Sequence, residues 1–268
     1  MRRFVGPLRA AEWRARQNVG YQMKDTKKRH RLIAAFGILC VLIAVFVLNP
    51  SRFPGGTVIV QRLRGKATVS DRLSQYGPLV RTRWQPYFEQ KGVAYPPQKL
   101  LLVGLKREKQ LQVYATNPEQ PLKLIRSFPV QGLSGKLGPK LRFGDSQVPE
   151  GFYRIESLNP NSAFHLALRV NYPNAFDRSQ AQKEGRTELG GDIMIHGSNA
   201  SIGCLAMGDE VAEDLFILAS EVSAENINVI LSPVDFRTSN VPNDAKRPAW
   251  VKSLYAEIKA ALIMLPSQ

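Results

Sequence analysis

Cysteine is almost missing from this chain: Cys40 and Cys204 are the only two in 268 residues. Cys40 lies in the middle of an apolar run, so Cys204 has no partner and a disulfide framework is excluded. The fold must then rest on a hydrophobic core, for which the 44% hydrophobic content is ample. Histidine is nearly as scarce, with His165 and His196 the only two beyond that apolar run. His165, His196 and Cys204 are too few soft ligands for a metal site, so neither a metal nor a cofactor is expected. Repeats and low-complexity tracts are also missing, which excludes solenoids and disordered linker proteins.

Acidic residues are short as well: 22 Asp and Glu against 37 Lys and Arg, a formal charge of +15. Much of the excess lies in residues 1–31, where Arg and Lys face only Glu12 and Asp25. The one long uncharged run, Leu32 to Leu48, follows directly. Its 17 residues reach about 26 Å as a helix, near the lower limit for crossing a bilayer. This predicts an uncleaved single-pass anchor in the inner (cytoplasmic) membrane, N-terminus cytoplasmic and the rest periplasmic. A cleaved leader fits less well, because the run ends Leu48-Asn49-Pro50 without small residues. Positive-inside topology accounts for the basic tail, and no groove-reading or aromatic-interleaved motif accompanies it, so nucleic acid is not an expected partner.

The chemistry is concentrated in Asp192 to Asp209. Ile193 and Ile195 alternate with Asp192, Met194 and His196, which reads as a half-buried strand ending at Gly197. A short polar loop leads to Ser201-Ile202-Gly203-Cys204, where a glycine directly precedes a thiol. Asp209 then reads as the N-cap of a helix carrying Val211, Leu215, Leu218 and Val222 on one face. A thiol attacks as thiolate, a nearby imidazole favours that state, and N–H groups around Gly203 and Cys204 suit a developing oxyanion. An inert buried cysteine and a structural histidine are the plainer readings of the same residues.

His196-Gly197, Ser201, Gly203-Cys204, Met207 and Asp209 resemble the catalytic signature of the L,D-transpeptidase (YkuD-domain) family, in its YafK-like branch. Gly135 to Lys140, Gly144-Asp145, Gln147 to Tyr153, Phe164 to Leu166 and Tyr172 to Arg178 resemble that branch too. The resemblance implies a mainly β, YkuD-like β-sandwich with a few helices. It also implies acyl transfer on peptidoglycan stem peptides through a Cys204 acyl-enzyme at the diaminopimelate carbonyl, with His196 as base and Gly203 at the oxyanion. Ser201, Gly197, Arg178 and Arg186 are candidate substrate contacts, the two arginines as carboxylate clamps. Many members carry Arg two residues after the Cys, where this chain has Ala206. The YafK-like branch includes amidases that release wall-linked protein, so hydrolysis with a wall-linked lipoprotein as substrate is a rival reading. An inactive wall-binding module is another.

The expected organisation is a basic tail (1–31), a transmembrane helix (32–48), a helical neck (49–98), a catalytic domain (99–235), and a linker with an amphipathic C-terminal helix (236–268). The neck should hold a helix from Thr68 or Ser70 to about Glu89, interrupted at Gly77-Pro78. Strands are expected at Leu100 to Leu105, Leu111 to Ala115, Leu122 to Val130, Phe152 to Ser157, Phe164 to Val170 and Asn226 to Leu231. His165 reads as structural. Gly135-Lys136 fails as a phosphate loop, because Leu137 follows the lysine and no helix does. Asn174 to Gly191 reads as a polar rim over the thiol.

Overall fold

The computed structural model describes residues 65–242 and 244–266. Four helices and nine strands follow one another as α1 (Val69–Lys91), β1 (Lys99–Leu105), β2 (Gln110–Thr116), β3 (Lys123–Pro129), β4 (Gly132–Leu133), β5 (Gly151–Ser162), β6 (His165–Val170), α2 (Ala175–Lys183), β7 (Met194–His196), β8 (Leu205–Ala206), α3 (Asp209–Val222), β9 (Ile227–Ser232) and α4 (Trp250–Ile263). The alternation in the sequence sets the strands, since apolar residues at every second position give one face to a core.

The nine strands form one sheet in the order β3-β2-β1-β9-β5-β6-β7-β8-β4. This corrects the expected sandwich of two sheets. β5 joins the two halves: Gly151 to Arg154 pair with β9, and Ile155 to Ser162 pair with β6. Both halves close as a half-barrel on one core, where Leu102 and Val113 meet Leu168, Ile195 and Leu205 together with Phe216 and Leu218 of α3. At roughly 25 cal/mol per Å² of apolar surface, such burial is the main stabilising contribution.

The sequence places a neck over 49–98, but from Ala67 onward that segment belongs to the same compact unit as the rest. Trp84 is fully buried against Phe88 and Phe128. Nor does Gly77-Pro78 break α1, which runs unbroken through Pro78 and Pro86. A proline inside a helix costs about 3 kcal/mol. Burial of Val80, Trp84 and Phe88 offsets it, and a Thr68–Asp71 capping box with a left-handed Gly92 fixes the two ends.

At the other end of the chain, α4 packs Leu254, Ile258 and Leu262 against Val103, Tyr114 and Ile230. It docks on the domain rather than standing apart. A buried ion pair helps to hold it: Lys106 Nζ lies 2.9 Å from Glu150 Oε1, and Tyr255 of α4 donates to Glu150 Oε2 at 2.5 Å. The same lysine donates to the carbonyls of Gly138 and Val148, tying down the 130–150 loop.

The expected placement as a single-pass inner-membrane protein is corrected. Among the described residues no helix is long and apolar enough to cross a membrane. The run 32–48 and the tail 1–31 lie outside the described residues.

Candidate functional site

The register of three strands assembles the site. Leu168, Ile195 and Leu205 pair side by side and point into the core. The neighbouring row, Ala167, His196 and Ala206, must therefore point to the opposite face, as must Arg169 and Met194 one step along. Cys204, one residue before β8, continues that last row: the Met194 N–H donates to its Sγ at 3.4 Å. His196, opposite Ala206, and Cys204, two residues before it, are thus diagonal neighbours on one face.

His196 is held by its own backbone. Its Nδ1 lies 2.6 Å from the Gly197 carbonyl, which can only accept, so Nδ1 carries the proton and Nε2 keeps the lone pair. The Phe164 ring stacks on the imidazole at 4.8 Å. Burial lowers the imidazole pKa and the Gly197 carbonyl partly opposes it, so the ring is neutral at pH 7. A carbonyl therefore orients His196, while the Asp192 carboxylate is engaged elsewhere, on Arg169 at 2.6 Å.

Gly197 is required sterically. A Cβ there would fall 2.5 Å from Asp209 Oδ1 and 2.9 Å from the Phe164 carbonyl. Asp209 also departs from expectation. It is the first helical residue, Gly208 occupies the N-cap, and the carboxylate accepts the Ser198 N–H at 2.7 Å, closing the loop between His196 and Cys204.

The thiol is free and half-buried, and donates to the Asp192 carbonyl at 3.5 Å. Burial raises its pKa, the Met194 N–H lowers it, the Asp192 charge raises it, and Lys140 lowers it. The balance is upward. The expected thiolate is therefore not the form present at neutral pH, and no hydrogen bond joins sulfur to imidazole in this structure. In unliganded sites such bonds are often long and tighten only with substrate.

Both N–H groups expected to meet an oxyanion are occupied by hydroxyls. Gly203, at φ +93°, donates to Ser134 Oγ at 2.6 Å, and Cys204 donates to Ser201 Oγ at 3.1 Å. Ser201 donates in turn to the Cys204 carbonyl at 2.6 Å, so it shapes the turn. Ser134, which donates to the Ser146 carbonyl at 2.8 Å, had no sequence signal.

The two candidate clamps separate. Arg186 is spent on Glu184 and on the Leu141 carbonyl at 2.8 Å. Arg178, in α2, reaches the Pro173 carbonyl beside an open pocket. His165 is structural as expected, 3.0 Å from Glu213 and edge-on to Tyr76. No group of acids, histidines and cysteines among the described residues could hold a metal.

The model of the YkuD family, the L,D-transpeptidase catalytic domain, matches residues 100–230. The L,D-transpeptidase-family protein YafK of Escherichia coli (strain K12) is 39% identical over 113 residues, 41% of this chain and 43% of that protein. The chain thus spans less than half the length of that relative. Among solved structures, the helical cell shape determining protein Pgp2 of Campylobacter jejuni is 22% identical over 56% of this chain and 52% of its own, with TM-score 0.40. L,D-transpeptidase 1 of Mycobacterium tuberculosis is 16% identical over 50% of this chain and 62% of its own, with TM-score 0.30.

Proposed function

We propose that this chain, whose residues 100–230 match the L,D-transpeptidase catalytic domain of the YkuD family, performs cysteine-dependent acyl transfer on peptidoglycan stem peptides. The observation that carries this reading is a free thiol and a tautomer-fixed imidazole on one face of adjacent strands. As the Cys204 sulfur attacks the diaminopimelate carbonyl, its proton passes to His196 Nε2. The imidazolium so formed is stabilised by the Gly197 carbonyl already bound to Nδ1. His196 then returns the proton to the leaving amine, and an acyl-enzyme remains on Cys204. The Gly203 and Cys204 N–H groups serve the oxyanion once the Ser134 and Ser201 hydroxyls give way.

Transfer of the acyl group to an amine makes a new link, and transfer to water releases a peptide or a wall-linked lipoprotein. One observation favours water. Ala206 is buried and pairs with His196, so the position where many family members carry an arginine offers no cation to an acceptor.

The test is to incubate the protein and its Cys204→Ala form with purified sacculi, with and without attached lipoprotein, and identify the products by mass spectrometry. New cross-links indicate transferase activity and released peptide indicates hydrolase activity. Identical products from both proteins would overturn the proposal.

A further inference from the structure

The outer face of the sheet continues past the thiol into a pocket that the reaction leaves unused. From Cys204 the row runs through Met194 of β7 to Arg169 of β6. β5 follows with Phe152, Arg154 and Glu156 outward, their exposure alternating with buried Tyr153 and Ile155. There the start of α2 and the 171–173 segment border an open pocket of about 640 Å³ lined by Arg154, Glu156, Arg169, Asn171, Phe176 and Arg178.

Its charges do not cancel. Arg169 is satisfied, 2.9 Å from Glu156 and 2.6 Å from Asp192. Arg178 reaches only the Pro173 carbonyl. The Arg154 guanidinium has no hydrogen-bond or ion-pair partner among the described residues. The remaining acid nearby is Asp177, which accepts from the Asn174 N–H and Tyr153; burial pushes its pKa up to about 6 against the pull of the Arg178 charge, so it is ionised at neutral pH but already hydrogen-bonded. The N-terminal end of α2, the positive end of its dipole, opens on the same pocket. The unpaired Arg154 guanidinium and the Arg178 guanidinium, to which no carboxylate is hydrogen-bonded, face a concave surface and match a planar anion that accepts two parallel N–H bonds.

We propose that Arg154 and Arg178, with Arg169 as the wall nearest the thiol, bind a carboxylate of the peptide whose carbonyl is presented to Cys204. Adjacent strands lie about 4.8 Å apart, so Arg169 on β6 is roughly 10 Å from Cys204, and Arg154 on β5, which faces Asn171 two residues further along, is about 16 Å away. An extended peptide covers that span in about three to five residues. The pocket therefore selects peptides with an acidic group at that remove from the scissile bond. Arg169 also fixes Asp192, at φ +56°, whose carbonyl receives the thiol. Occupation of the pocket thus bears on the positioning of the sulfur.

This inference rests on the peptide-acylation reading, and binding without chemistry separates the two. Stem peptides are titrated calorimetrically into the Cys204→Ala protein, with the terminal and side-chain carboxylates amidated one at a time to identify which one is held. One amidated form should bind roughly 10-fold or more weakly, and Arg154→Ala should weaken the free-acid peptide equally while leaving that amidated form unaffected. Arg154→Lys should recover part of the loss, because it keeps the charge and loses the fork. Arg154 is exposed and unbonded, so its substitution leaves the fold intact. Equal binding of acid and amide, or no effect of Arg154→Ala, would overturn the pocket while Cys204-dependent turnover stood. Arginine-dependent binding with no turnover by the unmodified protein would sustain the pocket and remove the acyl-transfer reading.

Discussion

Replacing Cys40 by serine leaves Cys204 as the single thiol, and its alkylation rate against pH then reads the protonation state directly. The sulfur is half-buried, its pKa stands above the ordinary 9.0, and burial is the largest cause. At pH 7 that leaves at most about 1% as thiolate. His196 adds nothing to the ionisation, since burial keeps it neutral and no bond joins it to sulfur. Iodoacetamide alkylation should therefore rise about tenfold per pH unit from pH 6 to 8, with no neutral plateau. His196→Ala should leave this curve almost unchanged while lowering peptide turnover by on the order of 10² to 10⁴. Asp192→Asn should move it to lower pH, because a like charge beside the thiol is removed. A plateau between pH 5 and 8 that His196→Ala abolishes would mean a standing thiolate–imidazolium pair, and the reasoning from burial would be wrong.

Phe164→Ala should expose the imidazole and raise its lowered pKa, so the acidic limb of the pH dependence of kcat/KM should move to higher pH. Gly197→Ala brings a Cβ to 2.5 Å from Asp209 Oδ1, so turnover should fall at least 10-fold with a measurable drop in Tm. Trp84→Ala empties a fully buried site and should cost about 3–5 kcal/mol in denaturant unfolding; a neutral result would restore a detached neck. Glu150→Gln leaves the buried Lys106 ammonium without its counter-charge and should cost about 3–5 kcal/mol by the same measurement, whereas Lys106→Met with Glu150→Leu should recover part of it.

The residues that alternate or repeat along the chain could be read before any coordinates, and so could the His196-Gly197 and Gly203-Cys204 pairs. β1, β2, β6 and β9 fall within a residue or two of their apolar runs, because each buries one face. β4 and β8 were not legible: two residues carry no period, and they are strands only because Gly132 lies opposite Ala206. The proline-bearing helix misled for the converse reason, since core contacts made far away in sequence outweighed a local rule. At the site, the roles of Ser134, Phe164 and Arg169 were not legible, because each meets the Asp192–Cys204 segment through the pairing of distant strands and loops, about which local spacing is silent. The neutral state of the thiol was hidden likewise, as it depends on burial and not on the proximity of a histidine in the sequence.

β5 belongs to both halves of the sheet, bound to β9 by its first residues and to β6 by its last. Fraying of the rim therefore stops at a strand that the other half holds in place. Deuterium uptake should be slowest along Tyr153 to Ile155, and the short strands bearing the imidazole and the sulfur borrow their persistence from that shared backbone rather than from their own few ladder bonds.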